Sequence, residues 1–396
     1  MVLKRKDKIY MKESNKNLIF LIFILIFILF IFATNFVLLH NETLKESKYE
    51  IYHEEFRDLI FAKIKLSKKY KFDGLTMGTS TTYSLFDSKK CKMARIIVFG
   101  MTYREFYEYL KGFYAIHNEP TAMFLPIEYH SFLDENDTGK VPYFDGKSTL
   151  SPSEFVNVYF SVNSTKMNFR NLFEKLEYFA DNQKFLTDND ENVSEPLSEE
   201  VLNEKFVETY TKRRLKTSDI SDERRKNDLY YWGKIIDFLQ EKNVKIYCFV
   251  PPYNYIYLQE AMTPKNEKII NDVKALIVSK GVEIYDFTKM NKYNTEPLPD
   301  SFLYSDLIHP YYVYGNIVFE ALTTEKGDKN LYRLITKNNI KSCVEASHNE
   351  LAQYRSKYKN YIEEYDKYDI SSMSESYNYC VRKTLSKMPK ELQKYL

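Results

Sequence analysis

The chain has 396 residues, 44% hydrophobic and 28% charged, enough to bury a sizeable core as one large domain or two small ones. Its 57 basic and 55 acidic residues nearly cancel, so it lacks the basic stripe that would neutralise a nucleic-acid backbone, and no nucleic-acid partner is expected. Aromatic content of 16%, carried by 35 Tyr and 28 Phe against one Trp, together with only 10 Gly and 12 Pro, excludes disorder as the default.

The first predicted element is a membrane anchor. From Leu18 to Ala33 every residue is apolar, and with Thr34 and Asn35 tolerated the stretch continues through Leu39. This is enough helix to cross a hydrocarbon core of roughly 30 Å. Lys4, Arg5, Lys6, Lys8, Lys12 and Lys16 precede it, whereas Glu42 and Glu46 mix with Lys45 and Lys48 after it. The positive-inside rule then keeps residues 1–16 in the cytoplasm, makes 17–39 a single-pass span in the cell membrane, and exports the rest to the periplasm or cell surface. A cleaved export signal is the alternative. The run exceeds an ordinary signal core, and no small-x-small site follows it.

Residues 40–70 read as a juxtamembrane amphipathic helix, with Tyr52, Phe56, Leu59, Ile60 and Ile64 on one side. Residues 71–330 form the main domain. Short apolar runs there alternate with helix-like segments: Gly74 to Met77, Ala94 to Phe99 before a helix from Tyr103, and Ala122 to Ile127. Val244 to Val250 follows a helix from Asn227, and Val282 to Phe287 follows one over Lys265 to Lys280. Alternating helices and near-continuous apolar strands predict an α/β fold, a three-layer sandwich with a mostly parallel sheet covered on both faces. The alternation stops between about 130 and 225, where an insertion is expected; its Tyr143, Phe144, Phe155, Tyr159 and Phe160 predict that part of it packs on the body. Residues 331–396 read as a helical extension whose Tyr stripe at 354 to 368 fits a packed hairpin better than a sugar platform.

The four cysteines, Cys91, Cys248, Cys343 and Cys380, show no CxxC and no Cys/His ligand spacing, so no structural metal is expected. Cys248 reads as an inert core thiol; Cys343 and Cys380 share the polar C-terminal region and are able to pair in an oxidising compartment. Walker A, GxGxxG and HExxH patterns are missing, so no cofactor is expected. His40, His53, His117, His130 and His348 are scattered.

Two segments carry candidate chemistry. In LTMGTSTT at 75 to 82, Gly78 permits a sharp turn after a strand, so that Ser80 projects its hydroxyl at the carboxyl edge of the sheet; a plain helix N-cap is the alternative role. In YSDLIHPYYVYG at 304 to 315, Asp306 and His309 lie in a loop before an apolar helix, close enough for the carboxylate to orient one imidazole nitrogen while the other faces outward. A serine hydroxyl is a poor nucleophile until a neutral His takes its proton, and the Asp stabilises the imidazolium formed. Read alone, Asp306 is equally a cap and His309 a residue packed on Pro310 and Tyr311. Glu128, Tyr129 and His130 follow a strand end, where they are placed to line the same cleft, with surface or core packing as the preferred role.

With Ser after the first strand and Asp-x-x-His just before a late helix, the chain resembles the SGNH or GDSL-like hydrolase superfamily, in particular its membrane-anchored cell-envelope branch of DltD-like and alginate-acetylation-type proteins. The resemblance spans roughly residues 70 to 325 by architecture. It implies Ser80 as nucleophile, His309 as general base, Asp306 as its orienter, and Gly100, at the end of ARIIVF, as an oxyanion-hole backbone donor. The family's Gly-x-Asn-Asp block has no clean equivalent: Asn136-Asp137 lacks the Gly, and Asn254 in PPYN follows a different strand. The implied activity is an esterase or O-acyltransferase acting on envelope polysaccharide or a teichoic-acid-like polymer, with a multi-pass membrane acyl-donor protein as partner in the transfer case. The other reading is a non-catalytic envelope binding or assembly module on the same fold.

Overall fold

The structure is a computed structural model that describes residues 2–40, 59–83, 85, 92–98, 101–117, 122–129, 144–162, 165, 222–295, 304, 310, 312–324 and 327–360. Its elements in chain order begin with α1 (Val2–His40), α2 (Ile60–Leu66) with a 3-10 turn at Ser67–Lys69, β1 (Gly74–Gly78) and α3 (Ser80–Tyr83). There follow β2 (Met93–Ile97), α4 (Tyr103–Ile116), β3 (Ala122–Pro126), α5 (Pro152–Tyr159), α6 (Asp222–Glu241) and β4 (Lys245–Val250). The remainder is α7 (Tyr255–Ala261), α8 (Pro264–Ser279), β5 (Ile284–Asp286), α9 (Lys292–Thr295), α10 (Tyr312–Thr323), β6 (Arg333–Ile335) and α11 (Ile340–Lys357).

The sheet has the order β2-β1-β3-β4-β5-β6, with the first five strands parallel and β6 antiparallel at the edge. All five residues of β1 and of β2 are buried, as expected of parallel strands covered on both faces. Right-handed crossovers place α4, α6 and α8, which all connect strands moving in one direction across the sheet, on a common face. Those three helices indeed pack on one another, α6 against both α4 and α8. The β1-to-β2 connection runs the other way, so the same rule puts α3 on the opposite face, and Phe319 of α10 stacks on Phe124 of β3 at 5.6 Å.

Sequence signals at the helix starts are satisfied locally. Thr102 and Glu105 form a capping box at α4, and Ser151 with Glu154 forms one at α5, where Pro152 takes the first turn. Thr263 caps α8 ahead of Pro264. The expected α/β class, mostly parallel sheet, N-terminal apolar helix and C-terminal helix are all present. One element differs: β6 adds a strand after residue 330, where only helix was expected, and hydrogen-bonds to β5 from Arg333 to Ile335.

Of the expected 40–70 helix, Ile60 onward is helical and Leu59, Ile60 and Ile64 are buried; Tyr52 and Phe56 lie outside the described residues. Part of the insertion does pack, as α5 shows below. Cys248 is fully buried and its thiol is pushed up by burial, in keeping with an inert core residue. Cys343 is buried on α11, and Cys91 and Cys380 lie outside the described residues. Tyr354 is buried and meets Tyr255 at 5.1 Å, so the described start of the Tyr stripe is packing surface.

Candidate functional site at the switch point of the sheet

Strand order reverses at β1: the chain steps outward to β2 and then returns past β1 to β3. In open α/β sheets such a switch point opens a crevice at the carboxyl ends of the two flanking strands. Here β1 pairs β2 along its whole length, to Gly78 with Ile97, but its ladder with β3 ends at Thr76 with Phe124. The β1–β3 ladder therefore stops before the carboxyl ends of the two strands, where Thr79 and Thr82 after β1 meet Glu128 after β3.

Glu128 bridges that gap. Its carboxylate accepts the backbone N–H of Thr79 at 3.0 and 2.9 Å on its two oxygens, and Oε1 also accepts the N–H of Thr82 at 3.2 Å and its hydroxyl at 2.5 Å. The carboxylate thereby gathers amides at the start of α3, where the Thr82 N–H also reaches the Thr79 carbonyl at 3.0 Å. Glu128 is buried, and burial holds its carboxyl above the ordinary carboxylate range against the opposing pull of these donors. Glycine at position 78 is demanded by space. A Cβ there would lie 2.5 Å from Thr82 Oγ1, 2.8 Å from Thr82 Cβ and 3.1 Å from Glu128 Oε1. Its backbone is not among the positive-φ positions, so the expected sharp-turn role gives way to close approach.

Ser80 opens α3 directly after this turn. Asp306, His309 and Gly100 lie outside the described residues, as do Asn136, Asp137 and His130. Their flanks are nonetheless close to the turn. Val98, just ahead of Gly100, donates its N–H to the Gly78 carbonyl at 2.9 Å. Tyr304 and Pro310 form an isolated antiparallel bridge that brackets the segment holding Asp306 and His309. Tyr304 in turn packs edge-on against Tyr314 of α10 at 5.6 Å. The next residue, Gly315, touches the Leu85 backbone so closely that a Cβ would fall inside the Leu85 carbonyl. The segment after Ser80 and the helix after His309 thus meet backbone to backbone. Asn254 is buried and serves as the N-cap of α7, its Oδ1 accepting the Ile256 N–H at 3.0 Å.

A second polar cluster, not anticipated from sequence, lies under the same edge. Lys274 of α8 is buried and donates to Asp286 Oδ2 at 2.9 Å and to the Tyr129 hydroxyl at 3.0 Å. The other Asp286 oxygen accepts the Thr288 N–H at 3.0 Å and hydroxyl at 2.6 Å. Burial disfavours both charges, yet each partner outweighs it: the ammonium is held above its ordinary value by Asp286, and the carboxyl below its own by Lys274 and Arg333. Arg333 also pairs Glu350 at 2.6 Å, and the Tyr129 N–H donates to the Tyr253 hydroxyl at 3.0 Å. The signal for this cluster was a lysine on the apolar stripe Ile269, Ile270, Val273, Ile277 of an amphipathic helix. Glu128 gave only its place after a strand end, which offered a cleft position beside the preferred packing role; it is buried, and its oxygens meet Thr79 and Thr82 on either side of Ser80. Compared with protein-family models, the chain gives no match, and compared with curated proteins it gives none either.

Proposed function

We propose that this chain is a membrane-anchored, extracytoplasmic serine acyl-ester hydrolase or O-acyltransferase of SGNH-like fold, acting on cell-envelope polysaccharide or a teichoic-acid-like polymer. The observation that carries the reading is the contact of Gly315 with Leu85, because it draws the helix following His309 onto the segment following Ser80 at the switch point. The strand order supports it as well, since the crevice of such a sheet is where a ligand enters. The anchor reading rests on Leu18–Val37, a 20-residue stretch with mean hydropathy 3.0 in a helix preceded by basic residues.

In the proposed reaction the Ser80 hydroxyl attacks the acyl carbonyl carbon while His309 takes its proton and Asp306 steadies the imidazolium. The tetrahedral oxyanion receives the Gly100 N–H. Collapse expels the alcohol, which His309 protonates, and leaves an acyl-Ser80 ester. Water then gives hydrolysis, or a sugar or polyol hydroxyl gives transfer, with His309 again as base. In the transfer case a multi-pass membrane protein supplies the acyl donor.

Labelling with a fluorophosphonate probe tests this. Labelling of the full chain that is lost in Ser80→Ala and reduced in His309→Ala is the expected result. A folded chain that neither labels nor releases acetate from an acetyl ester leaves a carbohydrate-binding or assembly module.

A further inference from the structure

The carboxyl-terminal turns of the apolar stretch in α1 are not bare. Between Leu18 and Val37 the side chains are exposed except around Ile31 to Asn35, where Ile31 is buried and Asn35 completely so. What covers them is α5. Phe32 stacks on Phe160 at 5.0 Å and meets Tyr159 at 5.8 Å, and Phe36 lies 6.2 Å from Tyr159. Asn35, the one amide in the apolar stretch, points its Nδ2 at the polar end of this short helix: the Tyr159 carbonyl at 3.1 Å, the Ser161 carbonyl at 3.4 Å and the Thr165 hydroxyl at 2.9 Å. An amide in an apolar span needs such partners, because lipid offers none.

The same helix is fixed to the body on another side. Lys65 of α2, itself buried, donates to Glu154 at 2.8 and 2.9 Å and to Asp145 at 2.8 Å. Leu59, Ala62, Val158 and Tyr159 form a small apolar core separate from the main one, with Phe32, Leu66, Leu150 and Phe160 against it. Thus α1, α2 and α5 make one unit. Beside exposed Ser153 and Asn157 it presents three large apolar side chains to the outside: Phe155 is 43% exposed, Val156 53% and Val162 62%. Outside α1, the only other large exposed hydrophobic side chains among the described residues are Tyr230 and Leu334, so this is a cluster and not scatter.

Depth identifies what covers the cluster. Twenty residues at 1.5 Å each span about 30 Å, the whole hydrocarbon thickness. Ile31 to Phe36 fall in the final third, so a helix docked there sits at the boundary between acyl chains and headgroups. We propose that α5 and the turn through Val162 are an interfacial foot, with Phe155, Val156 and Val162 inserted into the leaflet beside α1, which fixes the orientation of the α/β body on the lipid surface. This inference rests on the reading of α1 as a retained anchor.

The test uses the full chain in phosphatidylcholine–phosphatidylglycerol vesicles, with Trp232→Phe removing the single native tryptophan and Phe155→Trp or Val162→Trp reporting the foot. Lipids carrying a nitroxide high on the acyl chain should quench either reporter at least twofold, with blue-shifted emission, while a Tyr230→Trp control is unquenched. Asn35→Leu should leave vesicle flotation unchanged and cut the quenching at least twofold. Chain that floats with vesicles but whose Phe155→Trp and Val162→Trp emit like the control keeps the anchor and overturns the foot. Blue-shifted emission without lipid quenching assigns the patch to a second copy and overturns it too. Chain released from vesicles with a new N-terminus after residue 40 refutes the anchor reading, and the foot with it.

Discussion

Replacing Glu128 separates a structural carboxylate from an incidental one. In Glu128→Ala two buried donors lose this acceptor, the Thr79 N–H and the Thr82 hydroxyl, whereas the Thr82 N–H keeps the Thr79 carbonyl at 3.0 Å. At about 1–3 kcal/mol for each of the two stranded groups, discounted for partial relaxation, the expected loss is about 2–4 kcal/mol. Glu128→Gln retains an oxygen in the Oε1 position, which serves all three donors, and forfeits only the second contact of the Thr79 N–H, so it costs about 1 kcal/mol. The two variants also differ in pH response. Because burial raises the Glu128 carboxyl, the folded state holds its proton more tightly than the unfolded state. That stability is complete below about pH 4.3, the unfolded value, and is lost as pH rises through the folded one. Glutamine carries no such dependence, so its deficit relative to the native chain shrinks from pH 4.5 to 8. The assay is urea unfolding of the full chain in detergent followed by emission of Trp232, which is fully buried and 5.1 Å from Tyr103. An alanine variant within about 1 kcal/mol of the native chain, well below the stranding cost, or a glutamine deficit that grows with pH, refutes the reasoning.

Lys274→Met and Asp286→Asn should each cost about 3–5 kcal/mol, since either strands a buried charge. Their combination should fall short of the sum by at least about 1 kcal/mol in the same unfolding assay. Gly315→Ala should destabilise by about 3 kcal/mol, as backbone must move to admit the methyl, and should also slow fluorophosphonate labelling at Ser80; unchanged labelling would disconnect α10 from the site. His117 is buried, and burial pushes its imidazole down to about 4. Its Nε2 shares a hydrogen bond with Ser67 Oγ at 2.9 Å, and that hydroxyl also lies 2.8 Å from the Ile64 carbonyl. Stability should therefore decline as pH falls from about 6.5, the unfolded value, toward 4, and His117→Gln should flatten that decline when melting temperatures are compared across the range.

The sheet was legible because parallel strands buried on both faces have no polar face to confuse the signal: the runs at Gly74, Ala94, Ala122, Val244 and Val282 all contain strands. β6 was not, since three residues beginning with Arg333 carry no period. The start of α6 at Asp222 preceded the expected Asn227 because DERRK offers no apolar stripe, only polar residues of good helix propensity. The position of Ser80 directly after the first strand was legible from the end of the apolar run at Gly78. The donors that meet Glu128 come from roughly fifty positions earlier, and no local pattern announces a contact of that range. Asn35 looked like a tolerated blemish in an apolar run because its partners stand on a helix within an insertion whose spacing carried little information. Asp306, His309 and Gly100 rest on motif and chain order, with only their flanks among the described residues.

The pairing of β3 with β4 has a consequence for biosynthesis. Ala122 to Pro126 hydrogen-bonds to Lys245 to Phe249, so one side of the third strand has no partner until roughly 120 further residues are made. At about 5–20 residues per second the ribosome needs about 6–24 s for that interval. Throughout it a nearly complete half-sheet presents Met123, Phe124 and Leu125 along an open edge, the kind of template on which neighbouring nascent chains assemble. Yield should thus respond to holdase supply and to synthesis rate, and shortening the stretch between the two strands should relieve both demands.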